Sequence, residues 1–177
     1  MIEGVPAAVD LVGSRLSKDS FCWHHAGVGE SWLRLIPTDP SWIPATPAQA
    51  TAVTLLQGIA PCAEEIRDVS YDTTTFIDAG SNFEAMSCPV CGQDVPVAWW
   101  AAKMQQASET SFSDLAVEMA CCESVSSLND IRYDWPQGFC RWALDARSPG
   151  RSKLTDAELA ALAAGVGHEL REVWTRL

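Results

Sequence analysis

The sequence predicts an α+β fold, in which a small mixed or antiparallel sheet carries helices on one face in a split β-α-β-like arrangement. Apolar runs with the two-residue period of strands alternate with stripes that have the 3.6-residue period of helices. A stretch rich in cysteine and turn-forming residues interrupts this alternation. Because the chain has 177 residues, 47% of them apolar, we expect one domain over residues 1–177 with an inserted module at residues 79–136.

Helix starts are the clearest local signals in the chain. Thr46 can cap a helix that Pro61 ends, and Thr155 with Glu158 forms a capping box before the longest helical stripe. That stripe consists of Leu159, Leu162, Val166, Leu170, Val173 and Leu177. In chain order the predicted elements are a helix over 6–17, a strand over 31–36, a helix over 47–60, a strand over 65–78, a helix over 97–107, a strand over 115–119, a polar turn over 126–136, a strand over 139–146 and a helix over 155–177.

Alternation along two of the strands identifies the side chains that should face the core. In the first strand the inner side chains are Leu33 and Leu35. In the last predicted strand they are Cys140, Trp142 and Leu144. The order strand, helix, strand, insertion, strand, helix is compatible with a split β-α-β sheet.

Two cysteine pairs carry the strongest chemical signal. Cys88-Pro89-Val90-Cys91-Gly92 is a knuckle motif, in which two thiolates separated by two residues point at one metal and glycine ends the turn with a positive φ. The adjacent pair Cys121-Cys122 follows about thirty residues later. We therefore predict a structural Zn²⁺ bound by Cys88, Cys91, Cys121 and Cys122 in a zinc-ribbon-like module. The other three cysteines, Cys22, Cys62 and Cys140, are expected to be buried thiols.

Other roles for the cysteines remain open at this point. If only one of Cys121 and Cys122 binds, the fourth ligand could be Cys22, His24, His25 or a water, and a water would leave an open, catalytic position. The vicinal pair could instead be a redox switch, but nearby Glu118 and Glu123 disfavour the low-pKa thiolate that such a switch needs. A cysteine nucleophile paired with His24, His25 or His168 is disfavoured because three histidines make such a match easy by chance.

The same region resembles a group of uncharacterised bacterial proteins that share a CPxCG knuckle, a double cysteine and an SLNDL-x-YDWP-x-GF-like segment. The matching parts here are residues 82–84, 88–92, 121–122, 127–130, 133–136 and 138–139. The resemblance implies that both cysteines of the pair are ligands and that the following loop surrounds the site. It departs from the pattern at Glu123, where a glycine is expected, and it implies no activity.

Two groups of polar and aromatic side chains could belong to a binding surface. They are the tryptophans Trp99 and Trp100 and the loop residues Asn129, Asp130, Tyr133, Asp134 and Trp135. We favour a structural role for both, in which the aromatic rings pack over the cysteine module and Asn129 and Asp130 bond the turn backbone or the zinc sulfurs.

Net charge bounds the function further. The chain carries 23 acidic against 12 basic residues, a net charge of −11, which disfavours binding to nucleic acid. The first residues lack the features of a secretory signal and no apolar run is long enough for a membrane span, so we expect a cytoplasmic protein. We expect a non-enzymatic protein-binding module with a cationic partner, such as an immunity protein or inhibitor of a basic toxin. The alternatives are a zinc-dependent hydrolase using Glu123 or Asp130 as base and, third, a zinc-ribbon protein associated with nucleic acid.

Overall fold

The computed structural model describes residues 30–177, so the helix predicted over residues 6–17 lies outside it. Its elements are β1 (Ser31–Pro37), α1 (Thr46–Ile59), β2 (Glu65–Ile77), β3 (Met86–Ser87), α2 (Val97–Ser108), β4 (Ala116–Glu118), β5 (Val125–Ser127), a 3-10 turn (Leu128–Asp130), β6 (Arg132–Tyr133), β7 (Gly138–Arg147), α3 (Asp156–Val166) and β8 (Leu170–Arg176). None of the helices in this range is long and apolar enough to cross a bilayer.

Four strands form the main sheet in the order β2-β7-β1-β8, with every neighbouring pair antiparallel. Strands β1 and β2, joined through α1, therefore run parallel with β7 between them. Likewise, β7 and β8, joined through α3, run parallel with β1 between them. The sheet consists of two interlocked split β-α-β units, the βαββαβ arrangement, which confirms the predicted α+β class. We call this sheet with α1 and α3 the scaffold.

Both scaffold helices pack on one face of the sheet, as predicted. Leu33, Leu35, Trp142 and Leu144 project from the strands into this core and are fully buried. The helices and their connections contribute Ala52, Leu56, Ala60, Leu154, Leu162 and Val166. Apolar side chains from the sheet, from α1 and from α3 therefore close this side of the scaffold.

The prediction that Cys140 faces this core is wrong. Cys140 is buried in a separate cluster with Ile36, Ala143 and Val173. Strand β7 lies in the middle of the sheet and is buried on both faces, so its alternation does not separate a core face from a solvent face. A register shift on the neighbouring strand β2, between Ser70 and Thr75, further interrupts the alternation around Cys140.

The long C-terminal helix is also corrected. Helix α3 ends at Val166, because Gly167 adopts the left-handed conformation with φ of 86° and donates its N–H to Ala163. Leu170 and Val173, which completed the helical stripe, instead lie in β8, a strand that pairs with β1 over seven residues. Local periodicity could not reveal this strand because its apolar positions continue the helical spacing, whereas pairing with β1 is a long-range interaction.

Helix starts follow the predictions in part. The capping box of α3 is confirmed, since Thr155 Oγ1 accepts the N–H of Glu158 and the Glu158 carboxylate accepts the N–H of Thr155. Helix α1, however, is capped at Ala45 without a side-chain hydrogen bond, and Thr46 is its first residue.

The central segment, residues 78–137, connects β2 to β7 and contains α2 and two small two-stranded sheets, β3-β6 and β4-β5. The prediction of a plain polar turn over residues 126–136 is wrong, because this stretch contributes to β5 and contains the 3-10 turn and β6. The apolar core of the segment includes Met86, Val95, Val117 and Leu128 and reaches the scaffold at Phe139.

Asn129 attaches the central segment to the scaffold. Its side-chain N–H₂ donates to the carbonyl of Thr38 at 3.0 Å, and its oxygen accepts from the N–H of Phe139 and from the Arg171 guanidinium, both at 3.1 Å. Gly138 leaves room for these bonds, because a Cβ at this position would overlap Arg171 Nη1 and crowd Asn129 Oδ1. Asn129 thus bonds residues from β7, β8 and the end of β1 rather than the cysteine sulfurs.

Candidate metal centre

The four cysteines of the two predicted pairs lie together in the central segment. Their Sγ atoms are all within 4.8 Å of one another. The sulfurs of Cys91 and Cys121 are 3.4 Å apart, and those of Cys88 and Cys122 are 3.9 Å apart. A tetrahedron with metal–sulfur bonds of about 2.3 Å has edges of about 3.8 Å, whereas a disulfide bond measures about 2.05 Å. The spacing is that of a four-thiolate site, and the cluster could hold a metal ion.

The first pair lies on a tight turn that begins after β3. The N–H of Cys88 donates to the carbonyl of Gln93 at 2.8 Å, and the N–H of Gly92 returns to the carbonyl of Cys88 at 3.0 Å. Gly92 has a φ of +76°, which a glycine adopts without strain. The predicted role of Gly92 is therefore confirmed, and the turn brings both ends of the motif to one side.

The second pair lies on a turn with the same hydrogen bonds. The N–H of Met119 donates to Ser124 at 3.0 Å, and the N–H of Glu123 returns to Met119 at 2.8 Å. Glu123 occupies the place of the glycine and has a φ of +56°. A non-glycine residue in the left-handed region costs about 1–2 kcal/mol. Glu123 is thus held in this turn with local backbone strain.

Matching the two turns by these hydrogen bonds shows that their cysteines are offset. Met119 corresponds to Cys88, and Cys122 corresponds to Cys91. Cys121 therefore stands at the third position of its turn, where the first turn has Val90. Sequence reasoning recognised the double cysteine as unusual but missed this match. The signal was the spacing Met119-x-x-Cys122-Glu123, which copies Cys88-x-x-Cys91-Gly92 with methionine and glutamate substituted.

The four sulfurs differ in their access to solvent. Cys88 is completely buried, Cys121 and Cys122 are half-buried, and Cys91 is exposed. Met119, which is 1% exposed, fills the inner position of its turn next to the cluster. The site therefore has an apolar inner side and a solvent-facing edge.

Hydrogen bonds shift the pKa values of two of the thiols in opposite directions. Backbone N–H groups of Cys91 and Val90 lower the pKa of Cys88 to about 6, with Cys91 the larger cause. Sharing of hydrogen bonds with the neighbouring sulfurs, Cys91 first, raises the pKa of Cys121 to about 12. Cys88 therefore ionises before Cys121, and a metal that binds the Cys121 thiolate must displace its proton at neutral pH.

The aromatic side chains beside the cluster are engaged in packing. Trp100 donates its indole N–H to the hydroxyl of Tyr133 at 3.0 Å, and that hydroxyl donates to the carbonyl of Leu128 at 3.3 Å. Phe83 stacks on Trp100 at a ring distance of 6.0 Å. Trp99 lines a small crevice with Met119 and Cys121. These contacts support the structural interpretation of Trp99, Trp100 and Tyr133.

The remaining candidate residues are elsewhere or engaged differently. His168 packs its ring against Trp42 at 4.7 Å in the scaffold and is not part of the cysteine cluster. Burial raises the pKa of the Cys140 thiol to about 12, which makes it an inert, protonated group. Cys62 is half-buried and disulfide-bonded, so the prediction of a buried thiol there is wrong. Cys22, His24 and His25 lie outside the described residues.

Chemically, the cluster offers four soft sulfur ligands that lie within 4.8 Å of one another. Such a donor set suits zinc and iron, and it leaves no coordination position for a substrate once all four thiolates bind. Asp130 and Glu123, which were considered as bases, are not among the residues of the cluster. Comparisons of this chain with protein-family models, with curated proteins and with solved structures give no match.

Proposed function

We propose that residues 79–136 form a zinc-ribbon-like module in which Cys88, Cys91, Cys121 and Cys122 bind one structural Zn²⁺. The single observation that carries this proposal is the mutual approach of all four sulfurs to within 4.8 Å. The hydrogen-bonded turns that deliver them resemble each other closely, as the two halves of a zinc ribbon do. Zinc is favoured over iron because it needs no redox partner and is the usual occupant of closed Cys₄ sites.

The negative charge of the protein is concentrated in the central segment. Residues 78–137 contain nine carboxylates and two basic side chains, a formal net charge of −7 out of −11 for the whole chain. Residues 30–77 and 138–177 together contain eleven carboxylates and eight basic side chains, a net charge of −3. Four thiolates around one Zn²⁺ would add about two further negative charges to the module.

We propose on this basis that the protein is a non-enzymatic binding module for a cationic protein. Exposed apolar side chains accompany the charge on the module, namely Val90, Val97 and Val125, which are 56–78% exposed. A surface with both charge and apolar contacts fits a basic protein better than a small ion. An immunity-like or inhibitor-like role, in which the negative field accelerates capture of a basic toxin, is the concrete form of this function.

A hydrolase and a nucleic-acid binder receive less support. Hydrolysis at zinc requires an open position for water, and four converging thiolates leave none. Binding to nucleic acid draws its affinity from clustered lysine and arginine, whereas the central segment has only Lys103 and Arg132 as basic residues.

Metal analysis tests the first part of the proposal. Protein purified without chelator should contain one equivalent of zinc, and substitution with Co²⁺ should give the intense charge-transfer bands and visible transitions of a tetrahedral four-thiolate complex. The matched control is Cys140→Ala, which removes a buried thiol outside the cluster and should leave the spectrum unchanged. A spectrum of three thiolates with a water ligand, or purified protein that binds no metal, would contradict the proposed site.

Association kinetics test the second part. Affinity purification from the native host should recover a basic protein whose association rate falls steeply with added salt. Glu109→Lys combined with Glu118→Lys reverses two exposed charges on the module and should slow association by about tenfold or more. Asp68→Lys with Glu169→Lys reverses two exposed charges on the scaffold and serves as the matched control. Equal slowing by both double variants would indicate that only total charge matters.

A further inference from the structure

The offset between the two turns gives the cysteine cluster one reactive edge. Cys121 stands at the third position of its turn, where the first turn has the exposed Val90, and its sulfur is 3.4 Å from that of Cys91. This distance is shorter than the 3.9 Å that separates Cys122 from both Cys88 and Cys121. Cys91 is the exposed member of the cluster and Cys121 is half-buried. Two neighbouring sulfurs therefore face solvent together.

The inner side of the cluster, at Cys88, is protected from solvent. Cys88 is fully buried, and its sulfur accepts hydrogen bonds from the backbone N–H groups of Val90 and Cys91. Hydrogen bonds to sulfur reduce its nucleophilicity in the same way as they reduce its basicity. The sulfurs of Cys88 and Cys122 are also farther apart, at 3.9 Å. Any reagent from solution should meet the Cys91 side first.

The acidic surroundings do not prevent thiolate chemistry at this edge. Glu118 and Glu123 disfavour ionisation of a free thiol nearby. Coordination to a metal removes the proton from each ligand regardless of these neighbours. The objection to redox chemistry at an isolated vicinal pair therefore does not apply to a four-thiolate site.

We propose that Cys91 and Cys121 are a peroxide-sensitive pair whose oxidation to a disulfide releases the zinc. This inference rests on the proposed zinc site and adds its regulation. The oxidant is a hydroperoxide, with hydrogen peroxide as the simplest member. Loss of two of the four ligands leaves only Cys88 and Cys122, which is too few for a stable structural site.

The reaction balances in two steps. The Cys91 thiolate attacks one oxygen of hydrogen peroxide, so that an S–O bond forms, the O–O bond breaks and hydroxide leaves, giving a sulfenic acid. The Cys121 thiolate then attacks the Cys91 sulfur, an S–S bond forms, the S–O bond breaks and a second hydroxide leaves. Two thiolates lose two electrons in total, and the peroxide accepts them.

The test uses the zinc-loaded full-length protein and hydrogen peroxide. Zinc content is measured first, then zinc release is followed with a chromogenic chelator while the peroxide is titrated. We expect one equivalent of peroxide to release one equivalent of zinc, and tandem mass spectrometry of the tryptic digest to locate a Cys91–Cys121 linkage. A thiol reductant should restore full zinc binding.

The outcomes separate the two proposals. If the purified protein binds no zinc, the proposed function fails before any peroxide is added. If zinc is bound but the new disulfide joins Cys121 to Cys122 or involves Cys88, only this inference is overturned. Zinc retained until the cysteines are irreversibly oxidised to sulfinic acid would also overturn it.

Two cysteine variants test which sulfurs form the disulfide. Cys122→Ser retains both members of the reactive edge and should still form the Cys91–Cys121 linkage in peroxide. Cys91→Ser removes the attacking sulfur and should lower the oxidation rate of Cys121 at least tenfold. If either three-thiolate variant fails to fold, the position of the disulfide in the wild-type protein still decides the question.

Discussion

Different interactions stabilise the scaffold and the central segment. The scaffold has strands of 7–13 residues and a continuous apolar core that includes fully buried Leu56, Trp142 and Leu162. The central segment has strands of two or three residues. Such short ladders supply few hydrogen bonds. Such a segment would be stabilised by a cross-link, and a metal bound to the four cysteines would supply it.

The scaffold and the central segment also differ in net charge. The central segment carries most of the net negative charge of the chain, and self-repulsion within it opposes folding. In the scaffold, by contrast, charges are paired, for example Arg151 with Glu158 and Arg147 with Glu64. The comparison indicates that apolar burial stabilises the scaffold, whereas the central segment has little regular structure of its own and would gain most from the proposed metal.

Metal removal should produce the largest difference between the two regions. A strong chelator should unfold the central segment but leave the scaffold, because structural zinc contributes on the order of 10–16 kcal/mol in small zinc-finger peptides. Hydrogen exchange followed by mass spectrometry should show lost protection in α2 and β4 while α1, α3 and β7 stay protected. Equal loss in both regions would show that they fold as one cooperative unit.

Trp142→Ala should have the next largest effect, and it should act on the scaffold. Removing a fully buried indole from between the sheet and the helices should lower the free energy of unfolding by about 3–5 kcal/mol. Urea denaturation followed by circular dichroism measures the loss. Val125→Ala, at a side chain that is 78% exposed, is the control and should change stability by less than about 0.5 kcal/mol.

Asn129→Ala tests the connection between the two regions. It leaves the N–H of Phe139 without its partner and removes one acceptor from the half-buried Arg171 guanidinium, so we expect a loss of about 2–4 kcal/mol. Bound zinc should be retained, because Asn129 does not contact the sulfurs. Asn82→Ala, which removes one side-chain bond to Trp174, should cost about 1 kcal/mol. Loss of zinc in the Asn129 variant would show that the connection also shapes the site.

Glu123→Gly and Gly92→Ala should change the stability of the protein in opposite directions. The first substitution relieves left-handed strain at φ of +56° and should stabilise the metal-bound protein by about 1 kcal/mol. The second introduces a Cβ at φ of +76°, where nothing lies within 4 Å to clash, and should destabilise it by a similar amount. Thermal unfolding of both variants measures the effects. A destabilising Glu123→Gly would mean that the carboxylate has a stabilising partner.

Acid titration of the scaffold should reveal the smallest effect. Hydrogen bonds from Arg151 and then from the backbone of Thr155 lower the pKa of Glu158 to about 2. Because the folded pKa lies below the unfolded value of about 4.3, this stabilisation is present above pH 4.3 and disappears as the pH falls towards 2. Glu158→Gln should therefore be less stable than the wild type at pH 6 and equal to it near pH 2. A constant difference across this range would contradict the assignment.

Much of the scaffold could be predicted from the sequence because its signals are local. The capping box at Thr155 and Glu158, the prolines around α1 and the alternation that buries Leu33 and Leu35 all depend on nearby residues. Strand β8 could not be predicted, because Leu170 and Val173 satisfy a helical stripe and a strand equally well. Its identity depends on pairing with β1, more than 130 residues earlier in the chain.

The candidate site could likewise be predicted only in part. The four ligands could be proposed from the spacing Cys88-x-x-Cys91 and the unusual Cys121-Cys122 pair. The role of Asn129 could not be assigned, because its partners Thr38 and Arg171 come from distant parts of the chain. The sequence placed Asn129 near the site but could not distinguish support of the sulfurs from attachment to the scaffold.

By itself, the sequence determined the α+β class, the start of α3, the acidic character of the protein and the four cysteines that form the candidate site. These properties follow from composition and from interactions between residues a few positions apart. Only the tertiary structure decided the strand order β2-β7-β1-β8 and the approach of the exposed Cys91 to Cys121. Each of these depends on contacts between distant residues, which residue spacing does not encode.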